Sequence, residues 1–91
     1  MRDFELGTMG KKRGPYEAEY VAGTAVRIAD RGALETFVRQ WKLHHPLQPN
    51  QLDFAGHVAR VRDVSFYHGG DELYHLDGVP GIWHEENLRP A

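Results

Sequence analysis

Val58-Ala59-Arg60-Val61-Arg62-Asp63-Val64-Ser65-Phe66-Tyr67 opens the stretch that decides the fold. Ala59 and Val61 share one face of an extended chain, and so do Val64 and Phe66, but the two pairs are out of phase. A one-residue slip inverts every side chain, so a flat strand cannot bury both pairs. A bulge or sharp bend at Arg62-Asp63 solves the conflict. Glycine-rich His68-Gly69-Gly70-Asp71 follows, then Glu72 to Leu76, a second turn at Gly78-Val79-Pro80-Gly81, and Ile82-Trp83-His84. The pattern predicts a three-stranded meander with two hairpins. Its apolar face needs cover from the rest of the chain.

Working outward, Thr24 to Ala29 predicts a strand with Val26 and Ile28 on one face. Leu34, Phe37, Val38 and Trp41 recur at helical spacing and predict a helix over about Ala33 to Leu43. Glu35 and Arg39 stand in the favourable order for an ion pair on its outer face. Lys42, His44 and His45 suit the C-terminal end of that helix, and Pro46 ends it. Leu47 to Phe54 reads as a polar connector. Residues 1–20, broken by Gly7, Gly10, Gly14 and Pro15, predict a flexible tail on a single domain over 21–91.

The 91 residues include no cysteine, which excludes disulfides and thiolate metal sites. A cytoplasmic setting is therefore expected. Neither a signal peptide nor an apolar stretch long enough to span a bilayer stands out, and no membrane partner is expected. The net charge of −2 is uneven, because Arg2, Lys11, Lys12 and Arg13 outnumber Asp3 and Glu5 in the first fourteen residues. The remaining body is acidic, which argues against general nucleic-acid binding.

Six histidines, His44, His45, His57, His68, His75 and His84, match no zinc-binding spacing. Ser65 lies in no nucleophile elbow, and Gly69-Gly70 lacks the rest of a phosphate loop. No catalytic residue, metal ligand or cofactor is assigned, and the chain is read as a non-enzyme. The aromatics of the meander divide between the two faces, which leaves Tyr67 and Trp83 as candidates for an outward contact patch. Arg60 and Arg62 flank them on one strand face. Asp71-Glu72 and Glu85-Glu86 supply acidic rims that imply a basic partner.

This arrangement resembles an SH3-like small β-barrel: about five bent strands, here with one α-helix inserted in the first long loop. The resemblance makes Thr24–Ala29, Val58–Tyr67, Glu72–Leu76 and Gly81–His84 the first four strands. Glu85-Glu86-Asn87 is then the helical turn, and Leu88-Arg89 the last strand. The close, Trp83 to Ala91, is similar to the C-terminal barrel end of nitrile hydratase β subunits and carries no catalytic residue across. The alanine-leucine-tyrosine-aspartate-tyrosine stretch of signalling SH3 domains is missing.

Two functions are expected from these residues. The first is a small interaction module that binds a protein or peptide through Tyr67, Trp83 and the acidic rims. The second is a single-stranded nucleic-acid binder using Arg60, Arg62 and the basic tail, with stacking aromatics. The C-terminal similarity adds a third, an accessory subunit of a larger enzyme.

Overall fold

The computed structural model describes residues 18–68 and 70–91. The expectation of a mobile segment at residues 1–14 falls outside them. Five antiparallel strands form the sheet: β1 Ala25–Ile28, β2 Val58–Tyr67, β3 Asp71–Leu76, β4 Val79–His84 and β5 Leu88–Pro90. Their order is β4-β3-β2-β1-β5. One helix, α1 Arg31–Gln40, and a 3-10 helix, Pro49–Phe54, lie between β1 and β2. A single 3-10 turn, Glu85–Asn87, precedes β5.

The phase slip in β2 is where the sequence places it. Val61 pairs with Leu76 and Asp63 with His75, so Arg62 is the extra residue. Before the bulge Ala59 pairs with Val26 of β1; after it Val64 pairs with Tyr74 of β3. Both halves thereby aim apolar side chains at one core of Val26, Ile28, Val61, Tyr74, Leu76, Trp83 and Leu88. Arg62 and Asp63 stay exposed. Val64 packs at the edge of the core and Phe66 is half-buried, so the second pair is less enclosed than the first.

The helix begins two residues earlier than its apolar stripe suggests. Asp30 is its N-cap, with Oδ1 accepting the Ala33 N–H at 2.8 Å. It also ends sooner, with Trp41 as an extended C-cap, so His44 and His45 lie beyond it rather than in its last turn. Leu34 and Phe37 are buried, but Val38 is exposed and Trp41 only half-buried. Glu35 pairs with Arg31 at 3.0 Å, not with Arg39, whose guanidinium donates to Thr36. The helix start explains the swap, because it places Arg31 one turn before Glu35.

The second hairpin turns at Asp77-Gly78 and not over the expected Gly78-Val79-Pro80-Gly81, whose last three residues belong to β4; Gly78 has φ +74°. Leu76 then pairs with Val79, although Tyr74 pairs with Trp83, so the register is irregular across Pro80 and Gly81. Gly81 is required here twice over. Its φ is +90°, and a Cβ would lie 2.5 Å from the Gln51 side chain. Gln51, from the segment read as a polar connector, is 1% exposed. Its Oε1 accepts the Gln48 N–H at 2.8 Å and its Nε2 donates to the Ile82 carbonyl at 3.0 Å.

Those bonds also bear on the expected closure into a barrel. The outer edge of β4 is occupied by Gln51 and interrupted by Pro80, and β5 is three residues long and ends in proline. Among the described residues no ladder joins β4 to β5, so the sheet is not closed. Gln51→Ala would take away the partner of the Gln48 N–H and of the Ile82 carbonyl, both partly buried. It is expected to cost about 2–4 kcal/mol in urea denaturation, and a loss below about 1 kcal/mol would show that the Gln51 bonds are dispensable.

Candidate functional site: an acidic cleft

The two acidic rims, thirteen residues apart along the chain, meet in space. Asp71 and Glu72 start β3, Glu85 and Glu86 form the 3-10 turn after β4, and antiparallel pairing of Leu73 with His84 brings them together. Together with Trp41 and His84 they line one cleft of about 160 Å³. Its four carboxylates face an indole and an imidazole, and among the described residues no lysine or arginine lines it.

Several of these groups are held in place. Glu85 Oε2 accepts the Tyr74 hydroxyl at 2.5 Å and the Glu19 N–H at 2.9 Å. Tyr74 is fully buried, and burial followed by this bond to a carboxylate raises its pKa well above the ordinary tyrosine value. Its oxygen in turn accepts the Tyr20 N–H at 3.3 Å, so residues 18–20 pack against the body beside the cleft. Glu85 and Glu86 stand in the first turn of the 3-10 segment. The His84 N–H donates to Asn87 Oδ1 at 3.1 Å, and the His84 ring faces the Asn87 N–H in the reciprocal arrangement of a capping box.

The far wall comes from the segment after α1. Trp41 stacks on Phe37 with centroids 5.4 Å apart, lies 4.8 Å from the His84 ring, and donates its indole N–H to the His44 carbonyl at 2.7 Å. His45 has a positive φ of 51° and offers its carbonyl to His84 Nε2 at 2.8 Å. The His44 ring lies flat on Tyr67, 3.7 Å between centroids and 13° between planes. Its Nε2 is 2.9 Å from Asp71 Oδ2, without the alignment of a hydrogen bond. This segment therefore clamps the outer face of β2 and β3.

The residues expected to form a contact patch separate. Asp71, Glu72, Glu85 and Glu86 converge on the cleft. Tyr67, 38% exposed, stands beside it under His44. Trp83 does not reach the surface. It is 0% exposed, with its indole N–H on the Pro80 carbonyl, because its pairing with Tyr74 puts it on the core face. Arg60 donates to the Gly23 carbonyl at 2.8 Å, and Arg62 sits at the bulge 3.7 Å from Asp63. Neither arginine lines the cleft.

Trp41, His44 and His84 were not among the expected site residues. Trp41 completes a helical stripe and so reads as core; His84 directly precedes Glu85-Glu86, which was the available signal. His75 and His84, on neighbouring strands, do not meet: His75 Nδ1 lies 2.7 Å from Asp63 instead. Among the described residues no group of three histidine or carboxylate side chains is arranged to hold a metal ion, and no helix is long and apolar enough to cross a membrane.

A second, larger cleft of about 250 Å³ is lined by His45, Pro46, Gln48, Gln51, Gly81 and Ile82 and carries no carboxylate. The chain matches no family model, no curated protein and no solved structure.

Proposed function

We propose that this is a non-enzymatic interaction module whose acidic cleft receives a cationic side chain of a protein or peptide partner. The observation that carries the reading is the convergence of Asp71-Glu72 and Glu85-Glu86 beside Trp41. A cleft of this size suits one side chain. Carboxylates supply the counter-charge, and an aromatic wall accommodates the alkyl stem or the guanidinium plane. Tyr67, stacked and half-open beside the cleft, extends the contact surface.

The same reading takes the fold as SH3-like. Three features support it: the order β4-β3-β2-β1-β5, the long excursion carrying α1 between β1 and β2, and the 3-10 turn before β5. The bent β2, shared between β1 and β3, is a fourth.

The test is a fluorescence titration with a short capped peptide of arginine, lysine and glycine at pH 7.5. Saturable binding is expected, and Glu72→Gln combined with Glu86→Gln should weaken it about tenfold. Equal binding of an acidic peptide would overturn the reading. Tight binding of a single-stranded oligonucleotide with steep salt dependence would replace it with the nucleic-acid alternative.

A further inference from the structure

The acidic cleft and the second cleft share a strand and a wall. His84 lines the first and Ile82 the second, and both stand on the face of β4 opposite Trp83. Between them, His84 Nε2 meets the His45 carbonyl at 2.8 Å, and His45 itself lines the second cleft. We propose that the two clefts are neighbouring subsites for one extended peptide segment of a protein partner. It sets a cationic side chain in the first cleft and an apolar side chain, two residues away, in the second. This rests on the reading of the acidic cleft as the receptor of a cationic side chain.

The chemistry of the second cleft selects the apolar group. No carboxylate, lysine or arginine is among its lining residues, and Pro46 and Ile82 supply hydrocarbon. Its amides already bond one another. Gln51 Oε1 accepts the Gln48 N–H, Gln51 Nε2 donates to the Ile82 carbonyl, and Gln48 Nε2 donates to the Pro46 carbonyl. A polar side chain would give up water for amides that are already bonded. An apolar one loses no hydrogen bond on entering and covers hydrocarbon.

The same bonds decide how the partner is held. Pro80 has no N–H, its carbonyl accepts the Trp83 indole N–H, and the Ile82 carbonyl is taken by Gln51. A continuous backbone ladder to an added strand is therefore blocked on this edge, and recognition falls to side chains. Residues two apart in a strand lie about 7 Å from each other on one face. Ile82 and His84 set that spacing between the walls of the two clefts. An extended peptide repeats the same period, so one side chain enters each cleft and the residue between them points away.

The segment between the clefts supplies a second observation. Among the described residues, His44 Nε2 and His45 Nδ1 are buried without an aligned hydrogen bond, and His45 holds a positive φ of 51°. Buried polar atoms are ordinarily paired, and the exceptions gather at functional sites. A ridge crossed by a bound peptide fits that pattern.

The experiment compares three capped peptides of equal length on the full chain at pH 7.5, by tryptophan fluorescence. The first holds one arginine among glycines. The second adds a leucine two positions to either side of the arginine, which makes the result independent of peptide direction. The third moves those leucines next to the arginine, at the same composition. The second is expected to bind about tenfold more tightly than the first, and the third within about twofold of the first. Ile82→Thr should remove the gain from leucine and leave the affinity of the first peptide unchanged, with circular dichroism checking that the variant folds. The comparison of peptides on the wild-type chain decides even if it does not. Equal affinity of the second and third peptides would overturn the inference while leaving the cleft reading intact. No saturable binding of any of the three would overturn both.

Discussion

Val61→Asp is expected to unfold the domain, whereas Arg62→Asp beside it should change stability by less than about 0.5 kcal/mol. Val61 is 2% exposed and lies opposite Leu76 in the core, while Arg62 is the exposed extra residue of the bulge. An unpaired carboxylate at Val61 would cost several kcal/mol, against a total stability of about 5–15 kcal/mol for a domain. Val64→Asp should fall between them, because Val64 is only half-buried at the edge of the core. Far-ultraviolet circular dichroism and urea titration of the three variants provide the measurement. A folded Val61→Asp variant with wild-type midpoint would mean that β2 does not aim Val61 inward.

Trp83→Ala should be the most damaging truncation, at about 3–5 kcal/mol. Trp83 is wholly enclosed between β3 and the core and ties its N–H to the Pro80 carbonyl, across the irregular register of β4. Its removal leaves both a large cavity and an unpaired carbonyl. Trp41→Ala is the instructive comparison. Trp41 is half-buried and walls the cleft, so about 2–3 kcal/mol is expected, together with loss of peptide binding in protein that still folds. The urea midpoints of the two variants separate the roles. If Trp83→Ala proved the milder change, the division between core tryptophan and cleft tryptophan would be wrong.

That division shows why the site was harder to read than the strands. Alternation along a strand names two faces but not which of them is covered. Trp83 and His84 are neighbours in sequence, and pairing with Tyr74 and Leu73 decides that the indole enters the core and the imidazole meets the cleft. Leu73 illustrates the same point. It is buried yet lies outside the main cluster, because alternation along β3 turns it away from Tyr74 and Leu76 onto a face that is itself partly covered. Other differences were local. An aspartate shortly before a helical stripe is an N-cap signal, and the bond that Asp30 accepts from Ala33 sets the helix start.

By itself, the sequence determined what depends on neighbouring residues. The bulge at Arg62 follows from a period-2 pattern that cannot slip without exposing valines or burying charges. The hairpins and the amphipathic helix follow from glycine placement and helical spacing. The 3-10 turn at Glu85–Asn87 lies where the resemblance to small barrels put it. Tertiary structure alone decided which groups share space. Gln51 became a buried plug because the Ile82 carbonyl, thirty-one residues on, had no strand to pair with. The two acidic pairs became one cleft because β3 and β4 run antiparallel, and the segment after α1 laid Trp41 and His44 against it. Such meetings depend on strand order and chain reversal, which no local propensity records. Like charges repel, so these carboxylates are together because core packing and the Tyr74 and His44 contacts hold them there, not because they attract.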